Sequence, residues 1–309
     1  MADRQHLKFV ALLLVATFFM GSSFPTGKFL ISTELIPPFY LGGVRFIIAG
    51  IALLIYCAFR EGFSQIIPHT ETSISRGFLN LFLIGLLQTA SAMGFLNLAL
   101  GRIDSALASV LFFTNPLWVL IFAHFIKIDR FTLQRLLGLI LGIAGVFLCL
   151  NVEKEGSFLG MFFALLGAIS WALCTISTKT ILAIKNPPFV LAGWQMLFGG
   201  IVLYLISSLL GESYSLSDIS TLGWFNFLWL IFPASVGSFS LWFLALQKGG
   251  AAQTSAFLFL TPMFATILTI LFLAETLSVR FILGCLLIFS AIYIINQRKK
   301  PSITLRGMK

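Results

Sequence analysis

Apolar runs, each about the length of a bilayer crossing, follow one another through the whole chain with short polar breaks between them. They fall near residues 7–27, 38–59, 77–98, 105–126, 131–150, 157–178, 188–210, 222–246, 251–273 and 278–295. A helix crossing a hydrocarbon core of roughly 30 Å needs about 20 mostly apolar residues. A soluble core of this size would show amphipathic stripes, not runs that are apolar on every face. The pattern predicts an all-α polytopic membrane protein with ten transmembrane helices. Composition agrees: 59% of the 309 residues are hydrophobic, 10% are charged, and the mean hydropathy is +1.01.

The net charge of +9 acquires meaning from its placement. With the N-terminus in the cytoplasm, the inside segments carry Arg4, Lys8, Arg60, Arg76, Lys127, Arg130, Arg135, Lys179, Lys185, Lys248 and the basic tail 298–309. Outside loops hold only Lys28, Arg102, Lys154 and Arg280, and Arg45 lies within a span. Lys and Arg concentrate on the cytoplasmic side of membrane proteins. The bias predicts a cytoplasmic membrane location with both termini inside, as an even number of spans requires. It also reads the basic residues as topology determinants at the lipid bilayer, with no nucleic-acid partner. Arg4 and Lys8 before an apolar run resemble a signal peptide, but no small-residue cleavage site follows, so the first span is expected to be uncleaved. Cys57, Cys149, Cys174 and Cys285 lie in or at the ends of spans with no metal-site spacing and are expected to be structural thiols.

The chain repeats itself. Residues 37–53 and 187–203 are identical at eight of 17 positions, including both Pro-Pro-Phe triplets and the pairs Gly43/Gly193 and Gly50/Gly200. A second block repeats at an offset of 146, with Ser109 opposite Ser255, Pro116 opposite Pro262, Asp129 opposite Glu275 and Gly138 opposite Gly284. Each half then holds five spans. Five is odd, so the second half enters the membrane from the opposite side, giving two inverted five-helix repeats at 1–151 and 156–297. Such repeats are the architecture of alternating-access transporters.

Several residues carry a family resemblance: the Pro-Pro start of the second span followed by Arg45, Ser170-Trp171-Ala172 in the sixth, and Glu275 closing the ninth. With the two five-span halves, they resemble the EamA-type branch of the drug/metabolite transporter superfamily across essentially the whole chain. The resemblance implies a carrier of small organic solutes, among them amino acids and their derivatives; no cofactor is expected. Met20 stands before Gly21 where such proteins usually carry Trp, and Asp129 stands where Glu is commoner.

Candidate substrate-binding positions follow from polarity at mid-span depth. Asn115-Pro116 and Thr261-Pro262 sit at matched positions of the fourth and ninth spans. Each proline frees the carbonyl one turn earlier, at Phe112 and Leu258, which in hydrocarbon needs a partner or a water-filled cavity. Trp171, Cys174, Thr175 and Thr178 form a polar face on the sixth span, and Ser235, Ser238 and Trp242 one on the eighth, just after Pro233. Such stripes face a cavity or a neighbouring helix. Gln88 and Asn97 in the third span present the same choice, Asn97 nearer the membrane surface. Gly21, Ser22 and Ser23 in the first span would allow close packing and gate movement. Arg45 lies roughly 10 Å into the second helix. Charges at that depth pair, snorkel or serve a ligand; its repeat mate is Gln195. Gly138, Gly142 and Gly145 would let the fifth span approach another helix closely, within one molecule or in a homodimer.

Catalysis has little support. His6, His69 and His124 are scattered, and the phosphate-loop-like stretch Gly21–Lys28 has its glycines one residue too far apart and Phe29 where Ser or Thr is required. The expectation is therefore an exporter of a small-molecule substrate, monomeric or homodimeric. A nucleotide-sugar or phosphate-ester carrier, a lipophilic drug exporter and a non-transporting scaffold or sensor are the alternatives.

Overall fold

The computed structural model describes residues 2–68, 73–103, 105–127, 132–149, 157–180, 186–249, 251–273 and 279–296. Asp104, Asp129, Lys154, Glu275 and the basic tail lie outside them. Among the described residues there is no strand, and ten helical spans follow in order. They are α1 (Ala2–Ser32), α2 (Pro38–Glu61), α3 (Ile74–Leu100), α4 (Ser105–Phe112 continued by Asn115–Phe125), α5 (Leu133–Cys149) and α6 (Phe158–Thr180). Then come α7 (Pro188–Leu209), α8 (Thr221–Lys248), α9 (Ala251–Ala256 continued through Leu260–Leu273) and α10 (Val279–Asn296). Eight have the length and apolarity to cross a membrane, while α5 and α10 are shorter apolar helices. This is a polytopic all-α membrane protein.

The repeated Pro-Pro pairs mark the same local event twice. Pro37 (φ −58°, ψ 140°) and Pro187 (φ −53°, ψ 147°) hold the chain extended, and Pro38 and Pro188 open α2 and α7. Proline suits a first helical turn because the N–H it lacks has no intrahelical acceptor there. The glycines that match between the halves then meet each other. A Cβ on Gly50 would lie 2.6 Å from Leu197 N and 2.8 Å from Gly193 O, and one on Gly200 would lie 2.7 Å from Ile47 N. The antiparallel α2/α7 pair therefore has backbone-on-backbone contact that admits no side chain. In the α5/α10 pair, a Cβ on Gly145 would meet Gly284 O at 2.7 Å and one on Gly138 the Ile295 side chain at 2.7 Å. Gly142 faces the Phe259 ring of α9, so the three glycines of α5 all pack within the molecule.

The first helix of each half packs into the other half. A Cβ on Gly21 of α1 would meet Thr261 O of α9, and one on Gly167 of α6 would meet Ala92 O of α3 and the Phe112 ring of α4. The start of α1 lies beside Gly249, where Phe9 packs, whereas the start of α6 packs at Gly160 against Ile103. Ile103 sits at the far end of α1, where Lys28 Nζ donates to Ile103 O at 3.4 Å. The halves thus enter the bundle from opposite ends.

Departures from regular helix repeat as well. α3 contains a π-helical turn at Leu86–Ser91 and α8 one at Phe232–Gly237, an offset of 146 at both ends. α4 turns at 113–114 just before Asn115-Pro116, and α9 tightens to a 3₁₀ turn at Phe257–Phe259 before Thr261-Pro262. Pro233 does not break α8: the helix continues through a π turn, one wider turn that accommodates the missing N–H.

Candidate functional site

The turn in α4 and the π turns in α3 and α8 border an aromatic cluster inside the bundle. Trp171 of α6 and Trp242 of α8 meet there with ring centroids 5.5 Å apart. Phe112 lies 5.4 Å from Trp171 and Phe239 6.5 Å from it, and Phe24 of α1 stands 5.4 Å from Phe113. The two indoles are 2% and 0% exposed, yet neither Nε1 has a hydrogen-bond partner among the described residues. Gln88, in the π turn of α3, is as deeply buried, and among the described residues both ends of its amide lack a partner. Cys174 Sγ approaches Ile84 O on one side of it, and Gly167 approaches Ala92 O on the other. The antiparallel register between those contacts puts Gln88 level with Trp171.

Asn115 and Thr261 occupy matched places beside the proline breaks and are wholly buried. Asn115 Nδ2 donates to Ala168 O at 3.1 Å, while its Oδ1 and the Thr261 Oγ1 have no partner among the described residues. Burying a polar group without a hydrogen bond costs about 1–3 kcal/mol. Structural residues in membranes normally have that need met by a neighbouring helix. A group of unmet donors and acceptors, held in place by aromatic packing, is an arrangement that a bound solute would complete.

Arg45 reaches the same region from α2. It is 5% exposed; its Nε donates to Ser235 Oγ at 2.6 Å, and its guanidinium carbon lies 4.4 Å from the Phe46 ring centroid. Ser235, in the π turn of α8, donates a hydrogen bond in turn to Leu230 O at 2.6 Å, a carbonyl five residues back. Phe46 stacks edge-on against Phe239 at 6.0 Å, so the cation adjoins the aromatic column that leads to Trp171 and Trp242. Among the described residues no carboxylate pairs with this guanidinium.

The other expected site residues are placed differently. Thr175 donates to Trp171 O at 3.0 Å and Ser238 to Ala234 O at 2.6 Å, each bonding the turn before it. Ser23 is half-buried and donates to Met20 O at 2.6 Å; its neighbour Ser22 instead accepts the Trp229 indole N–H at 2.9 Å. Asn97 is buried near the end of α3 and donates to Pro38 O at 3.0 Å, outside the central group. The structure thus places Gln88, Asn115, Trp171 and Trp242 in one region, joins Arg45 to it through Phe46 and Phe239, and sets Thr261 against Gly21 of α1.

Thr89 and Gln195 were not among the expected residues. Thr89, in the π turn of α3, donates to Gln195 Oε1 of α7, and both are fully buried. Thr89 is the repeat mate of Ser235, and Gln195 that of Arg45. The offsets of 146 and 150 hold this signal, but only the packing of α7 on α3 shows that the two residues meet.

The architecture is that of a membrane carrier, with matched halves entering from opposite ends and a polar-lined aromatic centre between them. The model of the EamA-like transporter family matches residues 7–151 and again 158–297, and the chain belongs to that family. It is similar to a WAT1-related chloroplastic protein of Arabidopsis thaliana, 30% identical over 292 residues, covering 90% of this chain and 67% of the relative. It is also similar to an uncharacterized transporter of Synechocystis, 29% identical over 316 residues and covering 96% and 92% of the two chains. A solved crystal structure shares the fold with a TM-score of 0.71 at 20% identity, covering 91% of this chain and 96% of that one.

Proposed function

We propose that this protein is a secondary transporter that exports a small organic metabolite, of the size and polarity of an amino acid or its derivatives, by alternating access. It acts as a transporter and not as an enzyme. The observation that carries this reading is the set of buried, unpartnered polar atoms on Gln88, Asn115, Trp171, Trp242 and Thr261 at the meeting of the two halves. A solute held there would satisfy groups from both halves at once, so rocking one half against the other would change the end from which it is reached. The distribution of Lys and Arg supports a cytoplasmic membrane orientation with both termini inside. A lone mid-span cation favours small metabolites over nucleotide sugars and other phosphate esters, which call for several basic residues.

The test is flux of labelled solutes from proteoliposomes carrying the purified chain, beside Asn115→Ala, Thr261→Val and Trp171→Ala. Each variant is expected to lower flux at least several-fold while folding and inserting normally. Normal flux in all three would place the solute elsewhere.

A further inference from the structure

The pseudo-symmetry of the two halves separates what architecture requires at position 45 from what the residue adds. Each half uses its second helix to grip a hydroxyl in the π turn of the other half. Arg45 of α2 grips Ser235 of α8, and Gln195 of α7 grips Thr89 of α3. The grip at Gln195 is made by a neutral amide, so joining the helix to the π turn does not require a charge. A guanidinium carries five N–H donors in a fixed fork. At Arg45 one of them, Nε, holds Ser235, and among the described residues the fork makes no other hydrogen bond. A cation at this depth is costly unless it is paired, and the contact with the Phe46 ring offsets only part of that cost.

We infer that Arg45 is the anion-recognition residue of the central site, and that the transported solute carries one carboxylate at the Arg45 end and an apolar body along Phe239, Trp171 and Trp242. This rests on the transport reading above and adds the solute's charge and polarity of fit. Ser235, Phe239 and Trp242 lie on one face of α8, at spacings of four and three residues, and span roughly 10 Å along the axis. Phe46 beside Arg45 continues the same face through its contact with Phe239. The column therefore has a cationic end and an apolar end. A carboxylate pairs with the two terminal nitrogens of the guanidinium fork in bidentate geometry, which leaves the Nε–Ser235 bond in place. Gln195 carries no charge, although its Nε2 is also a buried donor without a partner among the described residues, so the other half offers no second cation and one negative charge per solute is the expected limit.

The test is equilibrium binding to the detergent-purified full chain, with 3-phenylpropionate, its uncharged amide and 3-phenylpropylamine as probes. The wild type is expected to bind the carboxylate at least roughly tenfold more tightly than the amide, the size of effect a charge-assisted bidentate pair supplies. In Arg45→Gln, which copies the residue of the other half and keeps a donor for Ser235, that preference is expected to fall to about twofold or less. Arg45→Lys, which keeps the charge but not the fork, is expected to retain part of it. Monodisperse, thermally cooperative unfolding of both variants establishes that they fold. Equal preference in wild type and Arg45→Gln overturns the inference, as does tighter binding of the amine, or no saturable carboxylate binding by folded wild type. The transport reading fails separately, if no solute of any charge exchanges across proteoliposomes.

Discussion

The indoles of Trp171 and Trp242, both from the second half of the chain, meet edge to face with 68° between their planes, and each keeps an N–H without a partner among the described residues. The ring contact is favourable by about 0.5–1.5 kcal/mol beyond its buried area. The dry N–H groups work against stability. Function and stability therefore pull apart here, and Trp171→Phe separates them. It keeps a ring against Phe112 and Trp242 and removes one unmet donor. The expected outcome is a melting temperature equal to or above that of the wild type, with flux lowered several-fold. A variant that is less stable and transports normally would assign Trp171 to packing alone.

Ser235 is predicted to matter more for stability than its size suggests. Its hydroxyl accepts from Arg45 Nε and donates to Leu230 O, so Ser235→Ala leaves the buried Arg45 Nε–H without its partner. The cost is about 1–3 kcal/mol on the usual scale for one buried unsatisfied group. Ser240, on the same helix, is also buried, but its Oγ has no partner among the described residues. Ser240→Ala removes an unmet group and should be neutral or slightly stabilising. Thermal unfolding in one detergent, comparing both variants with the wild type, checks the contrast.

Much of this fold could be read from the residues. The Pro-Pro pairs gave the starts of α2 and α7, the glycines matched between halves proved to be the points where α2 meets α7, and the Asn-Pro and Thr-Pro steps marked the irregular turns in α4 and α9. The π turns were less legible. Pro233 flags the one in α8, but Leu86–Ser91 contains no proline or glycine. A π turn is an adjustment of helix register that packing imposes, so its cause lies in other helices. The same limit applies within the site. Spacing identified Thr175 and Ser238 as polar at mid-span, yet a Ser or Thr hydroxyl can bond its own preceding turn, and these two do. Gln88 and the tryptophans have side chains that stand clear of their own backbone.

The glycine contacts give a prediction about assembly of the bundle. Gly50→Ala places a methyl group 2.6 Å from Leu197 N and 2.8 Å from Gly193 O, both backbone atoms that cannot yield without parting α2 from α7. Overpacking of this kind costs about 1–3 kcal/mol. Gly101→Ala is the control, because its nearest contacts begin at 3.7 Å and its φ of −71° suits alanine. Gly50→Ala should melt several degrees below the wild type and Gly101→Ala alongside it. Equal melting of the two would mean that α2 and α7 do not meet at Gly50.

The central claim is that solute reaches one mid-bundle site from either end in turn. Counterflow tests it most directly: proteoliposomes of the purified chain are loaded with unlabelled solute from an amino-acid and organic-acid panel, and entry of the same labelled solute is followed. The account predicts saturable, self-competed accumulation of label for at least one solute, abolished or sharply reduced by Asn115→Ala. Correctly inserted, folded protein that exchanges nothing across the panel, or exchange that neither saturates nor responds to that substitution, would contradict it.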